Sequence, residues 1–401
     1  MNGNDLYREL LTLLTYPEKF QTAQIEELFE TNQEKAIDLV KRHSLENRLY
    51  AVLAKFAQNA LPDTIKQEFR TKYQNDLARS LQNKELVNRI QSLCENEKIT
   101  PLYLKGIVLA NSVYDSPAER PMVDVDILVK QSEVHKLIVI LREMGCRTIL
   151  PNAGHLGNHI RTINQVSFRL GDSNHLFIDM HYGLFALSSP FIIDVDELLI
   201  ETTIFDAEHR LHTLNSTEFL LHMCIHHAFL NHYNPMRGIL DIVLFMKTHK
   251  DTLDWDRILK TASEWRCRNL LILTFGVVNA FVDSDEIPQD LRSLTGRNEL
   301  SEKVYLIKSS ILTRESVPSQ SLMFLSELFE AGGWHRTLRM YLRPGRFRQV
   351  NSIIHEIYGE GNRKDFTLKS LFYIMNGVIV YFLTRWRNLR VIKLRRWMAK
   401  K

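Results

Sequence analysis

Two carboxylates set two residues apart are the first groups in this chain whose types and spacing suggest chemistry. The segment Val123-Asp124-Val125-Asp126-Ile127-Leu128-Val129 is rich in β-branched residues and reads as a strand. Residues i and i+2 of a strand share a face and lie about 6.5–7 Å apart. Asp124 and Asp126 therefore look one way, and Val125, Ile127 and Val129 look the other, toward a core. Two acids on one face repel each other and are costly to half-bury unless a cation neutralises them. Oxygen ligands with room for water and a phosphate suit a hard divalent cation such as Mg²⁺. A third acid arrives in His175-Leu176-Phe177-Ile178-Asp179-Met180-His181, where Asp179 and His181 share a face opposite Ile178 and Met180. The competing reading is a set of solvated charges on an exposed sheet. A third acidic strand and an upstream Lys105-Gly106 turn favour the metal.

Other side chains have competing readings. Arg120, four residues before Asp124, is either a phosphate contact or an ion-pair arginine. His181 either serves the site, orienting Asp179 or touching a ligand, or is a hydrogen-bonded core histidine. His222, His226, His227 and His232 cluster on one stretch, with His222 and His226 a helical turn apart. No glutamate follows His222 in the manner of a zinc protease, so interhelical hydrogen bonds or the rim of a cleft fit better than zinc. Arg237 and Asp241, at i and i+4, are expected to form an intrahelical ion pair. Trp255 reads as an anchor at a helix start.

The elements that must position these groups follow from periodicity. Residues 1–98 read as a helical region, with helices over Asp5–Leu14, Thr22–Arg42, Glu46–Gln58 and Thr64–Glu95. A compact α/β core is expected over 99–212. It holds a short apolar run at Ile99–Leu104, a helix at Ile107–Tyr114, the acidic strand, and a helix at Ser132–Met144 with Ser132 as N-cap and Gly145 at its end. Strands at Cys146–Leu150, Gln165–Leu170 and His175–His181 follow, with Gly171–Asn174 as a hairpin turn. A helical domain over 213–330 and a basic helical tail over 331–401 complete the chain. The expected class is α+β, a small mixed sheet flanked by N-terminal and C-terminal helical regions.

Composition bounds the rest. The chain has 401 residues, 45% of them hydrophobic and 24% charged, with only 16 Gly and 11 Pro, which excludes collagen-like and linker-dominated architectures. The net charge of +4 hides an uneven split, because residues 331–401 carry 16 Lys/Arg against 3 Asp/Glu. In that tail Arg385, Arg387, Arg390, Lys393, Arg395, Arg396, Lys400 and Lys401 follow an apolar run and are interspersed with Trp386 and Trp397. It reads as a terminal helix docked on the body, as a helix on an anionic membrane, or as a nucleic-acid contact. Four scattered cysteines, no secretory signal and no apolar run of about 20 residues lead us to expect a cytoplasmic protein, with the inner membrane face as the tail's alternative.

The residues Leu104-Lys105-Gly106, Arg120 through Val129, and Ile178-Asp179-Met180-His181 resemble those of an uncharacterised bacterial nucleotidyltransferase family in the polymerase-β-like superfamily. The resemblance spans residues ~40–260, including Arg237-Gly238-Ile239-Leu240-Asp241. It implies that Asp124, Asp126 and Asp179 are catalytic and bind two Mg²⁺ ions, with Mn²⁺ as a substitute. It also implies transfer of a nucleoside monophosphate from an NTP to a hydroxyl of a small molecule, sugar or protein, releasing pyrophosphate. Many superfamily members follow the turn glycine with Ser or Gly, whereas here Ile107 follows Gly106. Gly106 can still open a helix N-terminus toward phosphate, with Lys105 as a point charge. Lys105, Gly106, Arg120 and His181 are thus the expected nucleotide contacts. A nucleic-acid substrate is disfavoured because residues 99–200 carry no long basic stripe. The alternative is a catalytically inactive relative acting as an antitoxin-like or membrane-recruited adaptor.

Overall fold

In the computed structural model a seven-stranded mixed sheet lies between helical layers. The structure describes residues 3–149, 164–173, 176–185, 189–230, 236–282, 284–295, 298–313 and 397–398. His232 and the basic tail, apart from Trp397 and Met398, lie outside them. The chain opens with helices α1 (Gly3–Thr15), α2 (Thr22–Arg42), α3 (Glu46–Phe56) and α4 (Asp63–Asn96). The core begins with β1 (Leu102–Leu104), α5 (Gly106–Ser112), β2 (Asp124–Leu128) and α6 (Val134–Glu143). Next come β3 (Cys146–Thr148), β4 (Gln165–Leu170) and β5 (Phe177–His181), then the short α7 (Val195–Leu198), β6 (Thr202–Asp206) and β7 (Leu211–Leu214). Helix α8 (Ser216–Ile225) runs into a π-helical turn at His226–Leu230. It is followed by α9 (Arg237–His249), α10 (Trp255–Glu264), α11 (Arg268–Phe281), α12 (Gln289–Thr295) and α13 (Asn298–Thr313).

The strands run in the order β3-β4-β5-β2-β1-β7-β6. β2 and β5 are parallel neighbours at the centre, with Asp126 opposite Asp179 and Ile127 opposite Met180. β1 is antiparallel to β2 and places Tyr103 opposite Ile127 and Leu104 opposite Asp126. One face of this centre therefore carries Tyr103, Val125, Ile127, Ile178 and Met180, all buried. Each such apolar side chain contributes about 1.5–3 kcal/mol. Helix α4 covers this face, and the Tyr103 hydroxyl donates toward Val87 O and Gln91 Oε1, both at 3.3 Å. The opposite face carries the carboxylates.

The N-terminal helices also hold the loop that leads into β2. Asn47 Nδ2 donates to Asp76 Oδ2 at 2.9 Å and to Ala118 O at 2.7 Å, and Ser80 Oγ donates to Pro117 O at 3.2 Å. Arg48 pairs with the buried Glu119, and Ser116 caps the 3₁₀ turn at Pro117–Glu119. The same helices brace the C-terminal layer. Lys247 Nζ on α9 donates to Thr15 O at 3.2 Å and to Glu18 Oε1 at 2.7 Å, and Met236 N donates to His43 Nδ1 at 3.3 Å.

Several expectations need adjusting. β6 and β7, absent from the sequence reading, pair antiparallel and extend the sheet beyond β1. Ser132 caps nothing. It lies within a 3₁₀ turn at Gln131–Glu133, so Glu133 is the residue before α6, while Gly145 ends that helix at φ +85°. Trp255 opens α10 as expected and packs edge-on against Phe275, with centroids 5.7 Å apart. The four cysteines are buried and free. Near the C-terminus Met398 is buried, Trp397 O accepts from Asn269 Nδ2 at 3.3 Å, and Lys303 lies over the Trp397 ring. Among the described residues no helix is long and apolar enough to cross a membrane.

Candidate active site

Three carboxylates converge where β2 and β5 run side by side, as strand parity requires. Asp126 is 3% exposed and receives two partners on the same oxygen, Lys105 Nζ at 2.6 Å and His181 Nε2 at 2.8 Å from Oδ1. Burial alone would raise its pKa, but the Lys105 ammonium and the His181 hydrogen bond override burial and hold the carboxyl well below the usual range. Lys105 responds in the opposite sense: burial opposes its charge, and Asp126 more than compensates, raising its pKa.

Asp179 and Asp124 are less well compensated. Asp179 Oδ1 accepts from Ser167 Oγ at 2.6 Å and Oδ2 from Gln165 Nε2 at 2.5 Å, both donated by β4. Burial and the charge of Asp126 still raise its pKa, with the Ser167 bond acting against them. Asp124, half-buried at the start of β2, is pushed up to about 6, first by burial and then by Asp126 and Asp179. Three acids thus share one ammonium and one imidazole, leaving surplus negative charge on this wall.

The turn beneath them is tightly built. Lys105 adopts φ +50°, ψ −118°, a conformation that costs a non-glycine residue on the order of 1–3 kcal/mol, and its side chain reaches Asp126. Gly106 follows because a Cβ there would lie 3.2 Å from Met122 Cβ and 3.4 Å from Arg120 Nη1. The helix it opens, α5, has seven residues.

A cleft of about 260 Å³ lies beside these strands, lined on the core side by Lys105, Gly106, Asp124 and Asp126 and on the helical side by His226, His227, Arg237 and Asp241. Arg120 also lines it, with its guanidinium committed. Nε lies 3.1 and 3.0 Å from the two Asp241 carboxylate oxygens, Nη2 lies 3.0 Å from Oδ2, and Tyr114 donates to Oδ1 at 2.7 Å. The expected Arg237–Asp241 pair within α9 is therefore replaced by a tertiary one, because Arg120 and Tyr114 saturate the acid. Gly238 is required where α9 begins, since a Cβ there would strike the His227 ring at 2.1 Å. His222 is fully buried between Phe185 and His226, its ring nitrogens without hydrogen-bond partners among the described residues. Burial, then the Lys105 charge, pushes its pKa down to about 3.

Residues 30–283, which include the whole sheet and both walls of the cleft, match a family described as an uncharacterised nucleotidyltransferase. The chain belongs to this nucleotidyltransferase family. No curated protein matches the chain. The match ends within the C-terminal helical layer, so the tail lies outside it.

Family membership implies a divalent metal, and the donor set here fits one. One ligand atom from each of Asp126, Asp179 and His181 lies within 4.8 Å of the others, and Asp124 adds a further oxygen on the same strand face. The uncompensated charge on Asp124 and Asp179 is what a cation would relieve. His181, expected to orient Asp179, to touch a ligand or to be a hydrogen-bonded core histidine, has its ring nitrogen on Asp126 instead of Asp179. The sequence reading missed Ser167, Gln165 and Tyr114. The first two were within reach of strand parity, since the hairpin register puts Ser167 opposite Asp179 and Gln165 opposite His181.

Proposed function

We propose that this nucleotidyltransferase moves a nucleoside monophosphate from an NTP to a hydroxyl of a small molecule, sugar or protein. The observation that carries the reading is the convergence of Asp124, Asp126 and Asp179 on one face of the β2–β5 pair, where Asp124 and Asp126 line a cleft. Those residues would hold Mg²⁺, with Mn²⁺ as a substitute. The bound ions would stabilise the attacking and leaving oxygens of the displacement. In that reaction the acceptor oxygen bonds to the α-phosphorus, the bond to the β-phosphate bridging oxygen breaks, and pyrophosphate leaves with the electron pair while the hydroxyl proton is released.

The chain's own residues divide the remaining work. Ser167 and Gln165 fix the Asp179 carboxylate, and His181 fixes Asp126. Lys105 holds a positive charge against Asp126 and is placed to shift toward a phosphate once other cations share that carboxylate. Arg120 shapes the cleft wall through Asp241. On this reading residues 99–212 form the catalytic core, and the flanking helical regions supply the loop clamp and the opposite wall.

The test is a screen of each NTP with Mg²⁺, reading melting temperature and pyrophosphate release with candidate acceptors. Wild type should show a metal-dependent upward shift with at least one NTP, and Asp124→Asn should show none. A wild type with no metal-dependent shift for any NTP would instead be a non-catalytic relative that keeps the fold.

A further inference from the structure

The helical wall of the cleft holds a cation that no described residue engages in a hydrogen bond or close ion pair, Asp241, Tyr114 and Glu46 acting on it only through space. Arg237 is the first residue of α9, lines the cleft, and makes no hydrogen bond or ion pair with any described residue. The neighbouring cations are all engaged: Lys105 by Asp126, Arg120 by Asp241 and Arg48 by Glu119. Asp241, one helical turn away, is already taken by Arg120 and Tyr114. Arg237 is half-buried by surface area yet closely surrounded by protein, a setting that penalises an unpaired guanidinium. The penalty is visible in its pKa, lowered to about 10 by burial and then by the charge of Arg120. It stays charged at neutral pH. A planar fork of donors facing a cleft is the geometry that captures phosphate oxygens in pairs. The first-turn N–H groups of this 13-residue helix add positive potential on the same side.

We infer that Arg237, at the start of α9, is an anion site on the cleft wall across from the acidic strands and receives a phosphate-type group. That group is either the distal phosphates of the nucleotide or an anionic substituent of the acceptor. The first source rests on the function proposed above; the anion site itself does not.

The experiment titrates the full-length protein with orthophosphate, pyrophosphate and each NTP in the presence of Mg²⁺, comparing wild type, Arg237→Gln and Arg237→Lys. Losing one charge-assisted bidentate contact should weaken binding about 10- to 100-fold in Arg237→Gln, with partial recovery in Arg237→Lys. Because Arg237 makes no hydrogen bond or close ion pair with a described residue, and burial and Arg120 disfavour its charge, unliganded Arg237→Gln should melt at or above the wild-type temperature, a result that a structural role would reverse. Loss of both pyrophosphate and NTP affinity assigns the site to the nucleotide's tail. Loss of orthophosphate and pyrophosphate affinity with NTP affinity intact assigns it to the acceptor. If wild type binds phosphate in an Arg237-dependent way but binds no NTP, the anion site stands and the transferase reading falls. Unchanged affinity for every anion in Arg237→Gln, or no anion binding by wild type, overturns the proposal.

Discussion

The two walls of the cleft are built alike and charged oppositely. On the sheet wall the buried Lys105–Asp126 pair is steadied by His181, and Asp124 and Asp179 are left over. On the helical wall the buried Arg120–Asp241 pair is steadied by Tyr114, and Arg237 is left over. Each pair neutralises one charge of each sign, so each wall's surplus is set by its remaining residues: acid on the strands, base on the helix. A buried pair contributes little net stability compared with apolar side chains of the same volume, but breaking one is expensive. The difference between the walls teaches where function is to be sought, in the charges that each pair does not cancel. A polyphosphate that carries cations at one end and bare oxygens at the other would match both walls at once.

The sharpest way to break this comparison is to treat the two β2 acids differently. Asp126→Asn should cut transfer about 10³-fold or more, the scale of losing several kcal/mol of metal-assisted stabilisation. It should also destabilise the unliganded protein by about 3–5 kcal/mol, because Lys105 loses its partner. Asp124→Asn should lose as much activity but leave unliganded stability equal or higher, since burial and like charges disfavour that carboxylate. Urea unfolding of both variants, beside their pyrophosphate release, checks this. Equal destabilisation by the two substitutions would show that Asp124 is no surplus charge.

On the other wall, Arg120→Gln or Asp241→Asn should each cost about 3–5 kcal/mol of folding stability, while Arg237→Gln costs none. A double-mutant cycle in urea should give a large coupling for Arg120 with Asp241 and a small one for Arg237 with Asp241. The reverse ranking would restore the pairing within α9 that spacing suggests.

A smaller effect sits one layer behind the carboxylates. Ser167→Ala removes the hydroxyl from Asp179 Oδ1 and should lower metal affinity or turnover 10- to 100-fold, as is usual for groups that orient ligands. Mg²⁺ titration of NTP binding reads it directly, and a wild-type Mg²⁺ dependence in Ser167→Ala would remove Asp179 from the metal set.

What the sequence made legible here was what periodicity governs. The bounds Thr22–Arg42 hold to the residue, and the alternation in Val123–Val129 puts Asp124 and Asp126 on one face and Val125 and Ile127 on the other. β6 and β7 were missed because β6 is a largely solvent-facing edge strand and β7 spans four residues, too short for a period to stand out. Arg237 was misassigned for a different reason. The i, i+4 rule sees only its own helix, whereas the acid it should have met is claimed by Arg120 from 121 residues away. Ion pairs set by tertiary structure leave no local signature, and neither does the charge left over from them.

The smallest effect is graded with pH and links the helical wall to the N-terminal helices. His43, following α2, accepts the Met236 N–H on Nδ1 just before α9, and burial, then the charge of Arg42, pushes its pKa down to about 4. The unfolded chain binds this proton near pH 6.5 and the folded chain only near 4, so folding favours the neutral ring. Its contribution is complete above about pH 6.5 and is lost as pH falls toward 4, at a slope of up to ~1.4 kcal/mol per pH unit. His227, lowered to about 4 chiefly by burial, adds to the same trend. Protonating Nδ1 would also place a proton against the Met236 N–H and loosen the start of α9, where Arg237 sits. Urea unfolding between pH 4 and 7 should therefore show stability falling with acid, and His43→Leu should flatten that slope whatever its absolute stability. An unchanged slope in His43→Leu would mean that this histidine is not held neutral by the fold, and that α9 is anchored to α2 without it.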